Sequence, residues 1–84
     1  MDEISRSIAS IKAGRAALNW SQKRLADESK VAMVTLARLE AGMVSPNGKT
    51  LSKLKKALEN GGVYISDNSP QGGFSLIVTR GDAG

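Results

Sequence analysis

The chain has 84 residues, with 12 Lys and Arg against 8 Asp and Glu, for a formal net charge of +4. That is enough for one small domain with a modest core, and the basic balance suits an anionic partner. With no cysteine and no histidine, the sequence excludes a disulfide framework, thiol chemistry, a serine–histidine pair and a histidine-held metal.

The first predicted helix covers residues 2 to 18. Ile4, Ile8 and Ile11 recur at four and three residues, which marks one helical face. Asp2 and Glu3 at its start, and Lys12 and Arg15 toward its end, suit the helix dipole. Gly14 weakens the last turn, and Asn19 and Trp20 lie beyond it. Ser21 is a good N-cap for a second helix running from about Ser21 to Ser29. Lys30 then takes a turn position, where glycine would be easier if φ must be positive. A third helix is expected from about Ala32 to Ala41, with Gly42 as its terminator. MVSPNGK reads as a loop, with Pro46 and the Asn47-Gly48 pair as turn signals. The fourth helix spans about Thr50 to Asn60. Leu51, Leu54 and Leu58 form its apolar stripe, Lys49, Lys53, Lys55 and Lys56 surround the stripe, and Asn60, Gly61 and Gly62 stop it.

The tail changes character. Val63-Tyr64-Ile65 and Phe74 to Val78 are rich in β-formers, and DNSPQGG between them is a turn-rich connector. Two short antiparallel strands are expected. An isolated two-stranded ribbon is marginal in water, so this one needs cover from the helices or from a second chain. Gly81 to Gly84 should fray. The expected fold is mainly α: four helices over residues 1–61, then a C-terminal two-stranded β-ribbon over 62–84.

The stretch Gln22 to Gly42 organises the rest. Leu25 and Ala26 lie on one side of a tight turn, Leu36 and Leu39 on the other, and Val31 can plug the angle between them. Small Ala26 permits close approach of the second helix. This is the spacing of a helix-turn-helix, whose second helix is offered to the DNA major groove.

From Ile8 to about Leu58 the chain resembles the lambda-repressor-like helix-turn-helix family, also called the Xre or Cro/C1 type. The resemblance rests on RAALNWSQKRLA, then VAMVTLARLEAG, then a loop and KTLSKLKKAL. Gln22, Ala26, Leu36, Arg38-Leu39-Glu40 and Gly42 all fit the pattern. The family commonly has Gly where this chain has Lys30, and often Ser or Thr where it has Ala32. The first departure suggests an altered turn, and the second removes a side-chain cap worth roughly 1 kcal/mol.

The resemblance implies the site. Met33, Val34 and Arg38 fall on the face used to touch bases. Arg38 can present two donors to guanine O6 and N7, or be a solvated surface arginine. Met33 and Val34 have no strong hydrogen-bonding groups, so they suit thymine methyls, or packing within the protein or against a partner. Ser21, Gln22 and Lys23 sit at a helix N-terminus that can bind phosphate, although Ser21 can also be a plain cap. Thr35, Asn47 and Lys49 complete the expected phosphate contacts. Arg15 and Glu40 match positions that form an ion pair between the first and third helices. Trp20 reads as a packing residue, and three aromatics are too few for single-strand binding by base stacking.

The tail carries apolar side chains on both faces: Val63, Ile65, Phe74, Leu76 and Val78, with Tyr64 and Ile77 opposite. A dimer interface is therefore expected there, since open strand edges invite pairing. No apolar run approaches the roughly 20 residues of a membrane span, and the acidic opening MDEIS lacks the order of a signal peptide. Asp27 and Glu28 point in different directions on one helix. The glycines near 61 and 72 do not follow a phosphate-loop order. The expectation is a non-enzymatic, cytoplasmic bacterial or phage regulator. It needs no cofactor and binds double-stranded DNA as a homodimer on an inverted repeat. The rival is a protein-interaction module, an antitoxin or antiactivator, in which DNA binding is secondary or lost.

Overall fold

The structure, a computed structural model, describes residues 3–66 and 73–79. Asp2, the side chains of Glu3 and Ile4, most of the connector after Ser66, and Gly81 to Gly84 lie outside the described residues. Four helices come first: α1 (Glu3–Ala17), α2 (Gln22–Ser29), α3 (Met33–Glu40) and α4 (Gly48–Gly61). Two antiparallel strands follow, β1 (Val63–Ser66) and β2 (Ser75–Val78).

Several boundaries have a local cause. The Ser21 Oγ accepts from the Arg24 N–H at 3.0 Å and opens α2. Asn47 does the same for α4, its Oδ1 accepting from the Thr50 N–H at 2.7 Å. The fourth helix therefore starts at Gly48, earlier than the Asn47-Gly48 turn signal suggested. An asparagine before a helix can serve either as a turn residue or as an N-cap, and here the cap wins. Ala32 precedes α3 with no side-chain cap. Gly62 ends α4 with φ 110°, donating its N–H to the Glu59 carbonyl at 2.9 Å.

The turn between α2 and α3 is held by backbone and by Ser29. The Val31 N–H donates to the Ala26 carbonyl and to Ser29 Oγ, both at 3.3 Å, and the buried Ser29 hydroxyl donates to the Ala26 carbonyl. Lys30 itself is left-handed, with φ 62° and ψ 27°. A Cβ in that region costs on the order of 1 kcal/mol or more, partly offset by the roughly 0.5–1 kcal/mol of chain entropy that glycine would lose. Lys30→Gly should therefore raise stability by up to about 1 kcal/mol, or about 4–8 °C in Tm. A thermal melt checks this, and a fall in Tm would mean that the lysine side chain contributes more than the strain it imposes.

One core serves all six elements. Ile11, Leu18, Trp20, Leu25, Ala26, Leu36, Leu39, Leu54, Ala57, Leu58 and Val63 are buried together, with Ile8, Val31, Leu51, Ile65 and Leu76 packed against them. Close approach at the end of α4 depends on Gly61. A Cβ there would lie 2.7 Å from Leu18 Cδ1 and 2.8 Å from the Trp20 ring.

The ribbon pairs Val63 with Val78, Tyr64 with Ile77, Ile65 with Leu76 and Ser66 with Ser75. Its inner face lies on α1 and α4. Val63 is completely buried inside its own chain. It offers no surface to a second copy, which corrects its place in the expected dimer interface. Ile65, Phe74 and Leu76 are half-buried, and Leu76 and Ile65 pack on the same core. Tyr64, Ile77 and Val78 remain exposed.

Candidate DNA interface

A polar clamp joins the first three helices. Arg15 on α1 makes two hydrogen bonds to Glu40 on α3: Nε to Oε2 at 3.0 Å and Nη2 to Oε1 at 2.8 Å. The remaining guanidinium nitrogen Nη1 donates to the Trp20 carbonyl at 2.9 Å. Gln22, the first residue of α2, donates from Nε2 to Glu40 Oε1 at 3.0 Å. The Glu40 side chain is only 3% exposed and that of Arg15 22%. One carboxylate thus ties α1, α2 and α3 together at the point where α2 begins. A bidentate, charge-assisted arrangement of this kind fixes orientation as well as distance.

That clamp sets the attitude of α3. Leu36, Leu39 and Glu40 face inward. Four-residue spacing puts Val34 and Arg38 together on the outward side, about one helical turn apart. Met33 is 50% and Val34 56% exposed. Arg38 and Thr35 are exposed as well, and the Arg38 guanidinium makes no ion pair among the described residues. The Arg38 carbonyl accepts from the Met43 N–H at 2.9 Å, which folds the loop after α3 back along the helix end. α3 has eight residues, and an α-helix with its side chains is about 10–12 Å across, which fits the width of a major groove.

The expected phosphate-contact residues differ in how far their side chains are already committed within the chain. Ser21 Oγ accepts as the α2 cap, a role that does not use its O–H donor. The Gln22 amide nitrogen is committed to Glu40, which leaves the side-chain oxygen and the backbone of the first turn. Lys23 is exposed and pairs with Asp27 at 2.9 Å, one turn away. Such exposed pairs are worth about 0.5 kcal/mol or less, so a phosphate can replace the carboxylate at little cost. Thr35 is exposed on α3. The Asn47 side chain caps α4, and Lys49 is exposed in its first turn. Trp20 is buried, with the Arg24 guanidinium 4.6 Å above its ring. It packs; it does not offer a face for base stacking.

Three participants were not singled out from the sequence: the Trp20 carbonyl, the Ser29 hydroxyl, and Gln22 as a partner of Glu40. A backbone acceptor leaves no mark in a sequence. Ser29 occupies a position where a solvent-facing serine would look the same.

Two short helices joined by a tight turn, the second exposing an arginine beside apolar side chains, have the form of a helix-turn-helix module. The helix-turn-helix family model, of the Cro/C1 type, matches residues 11–64. That is well over half of the chain, and the chain belongs to this family. It is a DNA-binding transcriptional regulator by that membership, in a family not typically enzymatic. No curated protein matches the chain. Among the described residues, no helix is long and apolar enough to cross a membrane.

Proposed function

We propose that the protein is a sequence-specific regulator that binds double-stranded DNA as a homodimer on an inverted-repeat operator. The observation that carries this reading is the outward face of α3, where Val34 and Arg38 stand exposed one turn apart above a clamped base. Arg38 reads guanine through two donors to O6 and N7. Met33 and Val34 meet base edges beside it. Ser21, Gln22, Lys23, Thr35, Asn47 and Lys49 hold the phosphates on either side, and positioning contacts of that sort carry no sequence information.

Arg38→Ala should cost about 1–3 kcal/mol on the selected site and relax the preference at one base position per half-site. Lys49→Ala should weaken all sequences about equally. Fluorescence anisotropy on selected and scrambled duplexes separates the two. Unchanged binding by the Arg38 variant would place the reading face elsewhere.

The ribbon supports the dimer. Its inner face is used within the chain, while Tyr64, Ile77 and Val78 are exposed beside the open edge of β2. Two β2 edges pairing about a two-fold axis would cover both the edge and those side chains. Two recognition helices about 34–36 Å apart would then demand an inverted repeat one helical turn apart. Because Val63 and Leu76 belong to the core, removing the tail would unfold the chain as well as separate it. The informative variant is Ile77→Glu, on the outward face. Light scattering should show a dimeric parent and a folded, monomeric variant with much weaker operator binding. A variant that stays dimeric would move the interface onto the helices. The same exposed apolar side chains suit a protein-interaction module, and a parent that binds no duplex while remaining folded would favour that second reading.

A further inference from the structure

Resting on the DNA-binding reading above, we propose that this protein senses the C5-methyl group of pyrimidines. A 5-methylcytosine in its site is bound like thymine, which makes operator binding responsive to cytosine methylation. The inference starts from the chemistry of the two residues at the N-terminal end of α3. Met33 and Val34 are both about half exposed at the start of this helix, and Val34 shares the outward face with Arg38. Neither carries a strong donor or acceptor. Thymine and cytosine differ in the major groove in two ways: O4 against N4–H₂, and the methyl group against hydrogen at C5. An aliphatic side chain can discriminate only the second. It gains contact area from a methyl group and gives no hydrogen bond to either O4 or N4.

Position along the helix limits where this occurs. Val34 and Arg38 are separated by about 6 Å along the axis, close to two base-pair steps at 3.4 Å each. With Arg38 on a guanine, the methyl-reading contact falls about one to two base pairs away. Thr35 lies beside Val34 on α3 and carries the nearest hydroxyl on that side. It sits about 100° round the helix from Val34; Met33 lies as far round on the other side, and its long, unbranched side chain can reach back toward the face of Val34. Arg38 supplies the hydrogen-bonded discrimination, and the Met33–Val34 pair supplies a methyl test that does not depend on which pyrimidine bears the group.

The test uses the full chain and duplexes enriched by it from a randomised pool. At the pyrimidine neighbouring the Arg38-dependent guanine, four pairs are compared by anisotropy: T·A, U·A, C·G and 5-methylcytosine·G. T·A and 5-methylcytosine·G should bind alike. U·A and C·G should bind more weakly by about fourfold per half-site, the worth of burying one methyl-sized group. In the Met33→Ala, Val34→Ala double variant the four affinities should converge. Both side chains are exposed, so circular dichroism should show an unchanged fold. Three results overturn the inference while leaving DNA binding intact: equal binding of T·A and U·A, binding of 5-methylcytosine·G no better than C·G, or full methyl discrimination in the double variant. Failure to enrich any duplex overturns the function reading itself, and this inference with it.

Discussion

Replacing Arg15 by methionine is expected to lower stability by about 3–5 kcal/mol, the usual cost of leaving a buried charge without its partner. For a domain of this size that corresponds to a fall in Tm of more than about 12 °C. The reason lies in the asymmetry of the clamp. Arg15 is about one-fifth exposed and can turn toward water, whereas Glu40 is almost wholly enclosed. Without Arg15, Glu40 keeps one hydrogen bond, from Gln22 at 3.0 Å, and the Trp20 carbonyl loses its donor. Glu40→Ala should be the milder variant, because the orphaned guanidinium has a route to solvent. Asp27→Ala, which breaks an exposed pair with Lys23, should change stability by about 0.5 kcal/mol or less. Thermal melts of the three variants order them. A shift of a degree or two for the Arg15 variant would reduce the clamp to the value of a surface pair.

The clamp also links stability to recognition. It joins the N-terminus of α2 to the end of α3, so loosening it should tilt α3, the proposed reading helix, against the residues proposed to hold phosphate. Near the unfolding midpoint its loss shows as lost stability. Well below that temperature, the same variant should bind DNA more weakly than its folded fraction accounts for.

Binding to DNA should fall by roughly 10³–10⁵ between 50 and 200 mM monovalent salt. That range follows if the proposed dimer neutralises about 6–10 phosphates, each releasing condensed counterions. The chain is equipped for this by its +4 net charge and by exposed cations such as Lys23 at the start of α2 and Lys49 at the start of α4. Anisotropy titrations on one duplex across that salt range yield the slope directly. Lys49→Ala should make the slope shallower by about one unit per site lost. A flat response would exclude phosphate-dominated binding and leave the exposed apolar surfaces as the route to a partner.

How much of this was legible in advance depends on the range of each interaction. Signals carried by a few adjacent residues were readable. Ser21 as a cap, Gly42 as a terminator, and the Leu51, Leu54 and Leu58 stripe each need only local geometry. The two apolar faces of the tail were readable from alternation, since side chains along a strand point to opposite sides. The pair of helices from Gln22 to Gly42 was readable because its spacing is a local packing constraint. Asn47 followed by glycine reads equally as a turn, and only the approach of the Thr50 N–H makes it the cap of α4.

The sequence by itself determined four helices, a ribbon and an Arg38 on the side away from Leu36 and Leu39, because periodicity assigns faces without reference to anything distant; Val34 joined that face only through the family resemblance. It suggested the Arg15–Glu40 contact only through family resemblance, since residues 25 apart meet only when the helices have closed around a common core. Tertiary structure alone decided that Gln22 shares Glu40, that the Trp20 carbonyl completes the guanidinium, and that Lys30 is held left-handed. It also decided which face of the ribbon is covered. Alternation separates Val63 from Tyr64 but cannot say which of them meets a helix. The packing of β1 on α1 and α4 turned Val63 inward, left Tyr64 and Ile77 exposed on the opposite face, and left Val78, the partner of Val63, exposed at the rim of the inner face; any dimer contact in the tail falls to its outer face, rim and edge.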